Sequence, residues 1–411
     1  MSKALYTVDL GQAILKFSSL RDADKVCLAK PRVRVEGERK HDRVTFKVRL
    51  SDNILNHVLV LSRVNYTFGF PLELAKGVNL DELAKMNSSG LREEWWFLSA
   101  SILASEVNDL EELLEALNEL EAFIHEGTKL NKIRLALTEE WYDKLAEVYP
   151  GASTWSERLT KLKENLNRET MQLLKSSIKE CYNSFYAKYW EEREKELLEL
   201  SVELKKVVDI LQPLKQLERI TKIKFAHDVL RVFLVDVFRV GGGIYGVPPN
   251  RIVHVTGVCA PLFIHLTVAH EAGHLLMLMS DWRVKLAEEV ISLAEEINVK
   301  RPLTLAHLIE EHVTALLQLK IDEHYYGERR TTHGYMGNKT FNLAERVWNR
   351  SKEELGTSWD LVKYVRELLE EIKRNEAVVK ELVKLLKEEY DNKCVALMNT
   401  NRCKMVLYKA I

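Results

Sequence analysis

Hydrophobic and polar residues change their spacing several times along the chain, and the first pattern predicts β structure. Val33 and Val35 alternate with arginines, a turn of glycine and charged residues follows, and the alternation resumes from Val44 to Leu50. A period of two residues is typical of a strand with one buried face. We therefore predict a β-hairpin within a β-rich N-terminal module that covers residues 1–70.

Residues 71–220 have helical spacing instead. Between residues 156 and 212 the chain is nearly free of glycine and proline, and leucines recur at helical intervals in two sets. This pattern predicts two long helices, with an antiparallel hairpin as their natural arrangement, and Pro213 marks the end. We predict a helical domain over residues 71–220 that contains this hairpin.

The pattern changes again after residue 220. Val229–Val240 is rich in β-branched and aromatic residues, a glycine-rich turn or flap follows, and Arg251–Val258 has the pattern of a second strand. The two strands predict a small sheet. The uncharged stretch Ile252–Ala269 has nearly the length of a membrane span, but it contains glycine, proline and two histidines. We interpret it as a buried strand that leads into a buried helix.

Apolar residues from Leu361 to Leu386 recur at helical intervals and predict one more long amphipathic helix. The patterns together predict an α+β fold that is mainly helical. Its four parts are the β-rich module (1–70), the helical domain (71–220), a domain with a small sheet and a buried helix (221–345), and a helical C-terminal segment (346–411).

Charge and cysteine content narrow the classes of function. The 411 residues include 60 Lys and Arg against 61 Asp and Glu, which gives a net charge of −1. This balance argues against nucleic acid or an anionic membrane surface as a partner, because the chain has no net positive charge that would attract either one. The five cysteines form no CxxC pair, and the first residues contain no apolar segment of secretory length. We therefore expect a cytoplasmic protein.

One pentapeptide carries chemistry: His270, Glu271, Ala272, Gly273 and His274 form the pattern HExxH. Residues i and i+4 of a helix differ by about 40° around its axis, so both imidazoles face one point and are suitable zinc ligands. Glu271 can then reach a water molecule at the metal. The surrounding residues are apolar, so the helix is expected to be buried. The alternative is a His/Glu cluster that is hydrogen-bonded internally.

In these residues the chain resembles the zincin metallopeptidases. It differs from the metzincin branch, whose motif continues as HExxHxxGxxH, since Met277 occupies the position of that glycine and Ser280 that of the third histidine. It is more similar to the gluzincins, in which a glutamate on a following helix is the third ligand. The resemblance covers about residues 229–345. It implies a zincin-like catalytic domain in which Zn²⁺ and the general base Glu271 hydrolyse a peptide or protein substrate.

The resemblance implies His270 and His274 as metal ligands, and it leaves three candidates for the third. Glutamate helices of the family commonly place a small residue three positions after the ligand. Thr314 fits that position for Glu311, which we favour, whereas the bulkier Val313 stands there for Glu310. Asp322 is the other candidate, because zincins with an aspartate ligand exist. The long insert before these residues is predicted to contain an amphipathic helix over about residues 282–297.

The resemblance implies two further features of a peptidase site. An edge strand above the active-site helix pairs with extended substrate, and Arg251–Val258 holds that place in the sequence. A side chain must also donate a hydrogen bond to the developing oxyanion. The candidates for this donor are His324, Tyr325, Tyr326, His333 and Tyr335.

Two other classes of function stay open on the sequence alone. One is a catalytically silent zinc-binding protein with a regulatory or interaction role, and the other is a metal-free helical scaffold. Metal analysis separates the scaffold from the other two. The leading 200 or so residues would either occlude the cleft or select substrates.

Overall fold

The computed structural model describes residues 6–9, 14–17, 41–62, 78, 83, 85–86, 90–135, 138–235, 242–245, 251–255, 260–326 and 338–390. Within these residues the fold is mainly helical, with two small sheets, as the predicted α+β class requires.

Six strands form the two sheets. They are β1 (Tyr6–Asp9), β2 (Ile14–Phe17), β3 (Val44–Lys47), β4 (Leu230–Val235), β5 (Gly242–Tyr245) and β6 (Arg251–Val255). Strands β1 and β2 pair antiparallel, and the other sheet has the order β3-β4-β6-β5. Strands β3, β4 and β6 are parallel, whereas β5 runs antiparallel to β6.

Fifteen α-helices lie in the described residues. They are α1 (Leu50–Leu61), α2 (Leu91–Ala104), α3 (Leu110–Glu126), α4 (Glu139–Val148), α5 (Trp155–Asn165), α6 (Arg168–Cys181), α7 (Ala187–Leu211), α8 (Pro213–Thr221), α9 (Ala260–Met279), α10 (Trp282–Lys285), α11 (Ala287–Glu296), α12 (Pro302–Tyr326), α13 (Asn338–Leu355), α14 (Leu361–Lys373) and α15 (Glu376–Tyr390). A π-helical turn, Tyr182–Tyr186, joins α6 to α7.

Within residues 41–62, the strand structure is shorter than the alternation predicts. The strand at Val44 ends at Lys47, and Leu50, predicted to be its last residue, begins helix α1 instead. The helix forms because apolar residues at helical spacing, among them Ile54 and Val58, are fully buried. The first arm of the predicted hairpin, at Val33 and Val35, lies outside the described residues.

The four-stranded sheet contains strands from two of the predicted parts of the chain, so it does not respect the predicted boundaries at residues 70 and 220. Strand β3 comes from the first predicted module, yet it pairs with β4, so that Val44 lies opposite Leu230. The sequence near each strand does not show that the two will pair in parallel, because the alternation of apolar and polar residues identifies a strand but not its partner. The predicted pairing of the segments that became β4 and β6 is confirmed, and the predicted glycine-rich flap contains strand β5.

The predicted hairpin of two long helices is wrong. The break falls at Asn167, whose side chain accepts a hydrogen bond from the Thr170 backbone and caps α6. From Arg168 onward the chain is helical without interruption through the π turn to Leu211. The segment therefore has one short helix followed by one long helical run.

Two other helices are shorter than their periodicity predicts. The long C-terminal helix is divided into α14 and α15, and the Asn375 side chain accepts a hydrogen bond from the Val378 backbone where α15 begins. The predicted insert helix is likewise divided at Leu286 into α10 and α11. Periodicity reports the buried face of a helix, but it does not locate a cap between two helices.

Helix α9 lies at the centre of the sheet-bearing part of the fold. It packs against α7, α8 and α12, and it also contacts strands β5 and β6. The predicted passage from a strand into a helix is confirmed, since β6 ends at Val255 and α9 begins at Ala260. Among the residues that the structure describes, no helix combines the length and apolar composition that a bilayer crossing requires.

Candidate metal centre

Helices α9 and α12 bring three possible metal ligands together. His270 and His274 lie on α9 and Glu311 lies on α12, and one donor atom from each lies within 4.8 Å of the others. The Glu311 carboxylate is 3.6 Å from Nε2 of His270 and 3.3 Å from Nε2 of His274. Ligands of a tetrahedral zinc ion lie about 3.3 Å apart when each is about 2.0 Å from the metal. The spacing therefore fits a small divalent ion.

The two imidazoles meet because they are one helical turn apart on a buried face. Their ring centroids are 5.0 Å apart and their planes are inclined at 82°. Between them, Gly273 faces α12: a Cβ atom at this position would lie 3.4 Å from Cγ2 of Thr314. The small residues at this crossing let α9 and α12 approach closely. The approach brings the Thr314 hydroxyl to 3.5 Å from Nε2 of His274.

A buried carboxylate fixes the other side of His274. Oε1 of Glu310 is 3.0 Å from Nδ1 of His274, and Oε2 of Glu310 accepts hydrogen bonds of 2.9 Å from Nε of Arg283 and Nε1 of Trp282. Glu310 is only 5% exposed, and Trp282 is completely buried. The carboxylate is therefore compensated by a guanidinium and held by donors on both of its oxygens.

His274 thus lies between two carboxylates, and this arrangement requires positive charge. A neutral imidazole has one N–H, which satisfies Glu310 and leaves a lone pair on Nε2 facing Glu311. A proton or a metal cation must lie between these two acceptors. Burial by itself lowers the pKa of His274, but hydrogen bonds and charges from Glu310 and Glu311 outweigh it and raise the pKa to about 10. The position of that proton is the position at which a metal would bind.

The two carboxylates are held in their charged forms. Burial by itself raises the pKa of Glu310, but the charge of Arg283 and the hydrogen bond from His274 bring it down to about 2. Burial also opposes ionisation of Glu311, and its contacts with His270 and His274 hold its pKa well below the usual range. Two imidazole nitrogens and an ionised carboxylate are the donor set of many zinc sites with an open position. The residues therefore fit such an ion.

A third histidine lies at the rim of this group. Nε2 of His307, one turn before Glu311 on α12, is 3.6 Å from Oε1 of Glu311. Its Nδ1 is 3.4 Å from Nη2 of Arg283. The His307 side chain is 47% exposed, which makes it the most accessible histidine around the candidate centre.

The structure places the other predicted site residues as follows. Glu271 follows His270 on α9 and is 7% exposed. Glu310, the alternative third ligand, contacts Nδ1 of His274 rather than the nitrogen that faces Glu311. Tyr325 and Tyr326 end helix α12, and Asp322 lies on the same helix, but their side chains are outside the described residues, as is all of His333.

Sequence reasoning missed Trp282 and Arg283. Both lie on α10, within the insert between helices α9 and α12, and they reach Glu310 across 28 and 27 positions of sequence. No motif marks them. The available signal is that the buried glutamate next to the predicted ligand needs a compensating cation, which could have prompted a search for an arginine on a neighbouring helix.

The predicted substrate strand needs correction. Arg251–Val258 was expected to be the edge strand, but β6 pairs with β4 on one side and with β5 on the other. The backbone N–H and C=O groups of β6 are therefore hydrogen-bonded to a neighbouring strand on both sides, so this strand cannot pair with a substrate. Within the described residues the edge strands of the sheet are instead β3 and β5, of which β5 pairs with β6 and contacts α9.

No family model, no curated protein and no solved structure matches this chain. Any assignment of function therefore depends on the chemistry of the residues themselves.

Proposed function

We propose that the protein is a zinc-dependent peptidase with a zincin-like catalytic domain. The observation that carries the proposal is the convergence of His270, His274 and Glu311 from two helices, with donor spacing that suits a tetrahedral ion. Three protein ligands leave one coordination position for a water molecule or a substrate, which distinguishes a catalytic zinc site from a closed structural one.

When bound, a zinc ion supplies Lewis acidity that activates a water molecule and polarises a carbonyl group. The chain must then move a proton. Glu271 is the only residue of the HExxH motif between the two histidines that can ionise. In the proposed reaction its carboxylate accepts the proton of the attacking water and delivers it to the amine that leaves.

Substrate binding is proposed at strand β5. Its edge away from β6 carries no strand partner within the described residues, and β5 lies against the helix that bears the motif. An extended peptide would add to this edge through backbone hydrogen bonds, as in other cases of β-augmentation. This mode accepts many sequences, because most of the contacts are made with the peptide backbone.

A cytoplasmic location belongs to the same proposal. Cys181 is a free thiol buried in the core, and its burial raises its pKa to about 12. Such a thiol is poorly ionised and chemically quiet. With its five cysteines and no CxxC pair, the chain is suited to a reducing compartment.

The substitution Glu271→Gln tests the mechanism. The variant keeps all three ligands, so we expect one equivalent of bound zinc, and it removes the proton acceptor, so we expect hydrolysis of a peptide library to fall by at least about 100-fold. The unmodified protein treated with a chelator and then reloaded with zinc is the control. Undiminished hydrolysis by the variant contradicts the mechanism. A wild-type protein that binds zinc but cleaves no peptide supports the silent zinc-binding alternative instead.

A further inference from the structure

We propose that Arg283 is a positioning residue of the metal centre, which fixes the proton position on two histidines at once. It holds Glu310 against Nδ1 of His274, and it donates directly to Nδ1 of His307. The inference rests on the proposed metal site, but it concerns how that site is held in its binding geometry rather than the reaction it performs.

The first branch runs through Glu310. The carboxylate can only accept, so the proton between Glu310 and His274 belongs to Nδ1 of the imidazole. This leaves Nε2 of His274 as the nitrogen that faces Glu311 and can bind a metal. Because Oε2 of Glu310 is held by Arg283 and Trp282, the carboxylate cannot rotate away, and the proton that His274 keeps when Nε2 is deprotonated is fixed on Nδ1.

The second branch reaches His307 without an intermediary. A guanidinium has five donors and no acceptor, so Nδ1 of His307 must accept from Arg283. A neutral His307 therefore carries its proton on Nε2. That nitrogen lies 3.6 Å from Oε1 of Glu311, so the N–H faces the carboxylate that we propose as the third ligand. One guanidinium thus acts on the proposed ligand His274 on α9 through the acceptor Glu310, and on the proposed ligand Glu311 on α12 through the donor His307.

Arg283 is itself anchored from outside the metal-binding helices. It lies on α10, and its backbone carbonyl accepts a 2.7 Å hydrogen bond from the hydroxyl of Tyr149, the residue after helix α4. Its neighbour Trp282 is completely buried and donates to the same carboxylate oxygen. The insert between the HExxH helix and the glutamate helix is therefore part of the metal site.

The test compares two arginines in matched settings. Arg283 is 18% exposed and pairs with Glu310, which is 7% exposed in its side chain; Arg158 is 17% exposed and pairs with Glu94, which is 1% exposed. Each arginine is replaced with methionine in the full-length protein. Zinc affinity is measured by competition with a chelator, and the histidine tautomers are measured by ¹⁵N NMR of histidine-labelled protein.

We expect Arg283→Met to weaken zinc binding by about 10- to 100-fold, as removal of an outer partner typically does, and to change the ¹⁵N shifts of His274 and His307. Arg158→Met should leave both measurements unchanged, although it removes an equally buried charge pair. Zinc affinity and histidine shifts equal to those of the wild type in Arg283→Met would overturn the proposal, as would failure of the wild type to bind zinc.

A second variant covers the case in which Arg283→Met does not fold. Glu310→Gln preserves size and shape but replaces a pure acceptor by an amide, and it should produce the same loss of affinity and a change in the His274 shifts. Unchanged affinity in this variant also overturns the proposal. The peptidase proposal fails in a different way, by absence of hydrolysis in zinc-loaded wild-type protein, with the affinity difference between the arginine variants intact.

Discussion

Two glutamate–arginine pairs in this protein both join buried side chains on different helices, but the two glutamates accept their remaining hydrogen bonds from different kinds of donor. Glu94 on α2 accepts from both terminal nitrogens of Arg158 on α5, and it also accepts from the side-chain amide of Asn165 at 2.9 Å. Glu310 on α12 accepts from Arg283 on α10 and has two further donors, His274 and Trp282. Each pair joins helices from different parts of the sequence.

The difference lies in the last donor. The further donor to Glu94 is the side-chain amide of Asn165, and this pair contributes to packing between α2 and α5. The last donor to Glu310 is an imidazole whose other nitrogen faces a second carboxylate, Glu311. A buried charge pair is therefore not in itself a sign of function. It points to a functional site where it holds an imidazole between two carboxylates, because a proton or a metal ion must then lie between the imidazole and the second carboxylate.

The largest expected effect is a change in zinc affinity, and it should distinguish His274, the imidazole donor to Glu310, from Asn165, the amide donor to Glu94. His274→Ala removes a proposed ligand, and we expect zinc affinity to fall by more than about 100-fold, beyond what loss of an outer partner causes. Asn165→Ala removes the corresponding donor at Glu94 and should leave zinc affinity within experimental error. Equilibrium zinc titrations of both variants give the comparison, and equal affinities would show that the two networks do not differ in this way.

The next effect concerns stability. Glu94→Ala leaves the Arg158 guanidinium largely buried without its partner, so we expect a loss of about 3 kcal/mol in the free energy of unfolding. Zinc affinity of the folded variant should be unchanged. Urea denaturation at equilibrium measures the loss, with Glu115→Ala as the control because Glu115 pairs with Lys132 at the exposed surface. A loss no greater than that of the control would contradict the role given to this pair.

The pH dependence of zinc binding tests whether a metal displaces a proton from His274, the donor that distinguishes Glu310 from Glu94. The proton on Nε2 of His274 must leave before a metal can bind, and the pKa of this residue in the metal-free protein is about 10. Below that pKa the deprotonated fraction rises about tenfold for each pH unit. We therefore expect zinc affinity to rise by about tenfold per unit between about pH 7 and pH 9. Affinity that is flat over this range would show that no such proton is displaced.

The smallest effect is expected at the helix crossing. A methyl group on Gly273 would meet Thr314 and Leu317 at 3.4 to 3.6 Å, which is ordinary contact. Since alanine is the better helix former, Gly273→Ala should stabilise the protein by about 0.5 to 1 kcal/mol and retain zinc binding. Thermal unfolding measures the first and metal titration the second. A loss of zinc binding would show that the two helices must approach more closely than the structure indicates.

The parts of the fold that local spacing encodes could be predicted from the sequence. The strand before α9 and the helix that presents His270 and His274 together each follow from a pattern within a few turns of chain, whereas the helix that carries Glu311 was implied only by the family resemblance. Helix ends were harder, although Asn167 and Asn375 are readable as caps because their side chains accept from a backbone amide three residues later.

The remaining features depend on contacts between distant segments. Strand β3 joins the sheet through residues almost 190 positions away, and its own sequence does not specify that partner. The role of Glu310 is similar. From the sequence, Glu310 and Glu311 are both candidates for the third ligand. The contacts that distinguish Glu310 come from Arg283 and Trp282, which lie on a separate helix. Adjacent glutamates on one helix point in different directions, and the surroundings decide which one is a ligand.

Anomalous X-ray scattering from crystals of the zinc-loaded protein, measured on both sides of the zinc edge, tests the central claim most directly. We expect one strong peak within about 2.0 to 2.2 Å of a nitrogen of His270, Nε2 of His274 and an oxygen of Glu311. A peak at other residues, or no peak at these three in protein that contains zinc, would contradict the account.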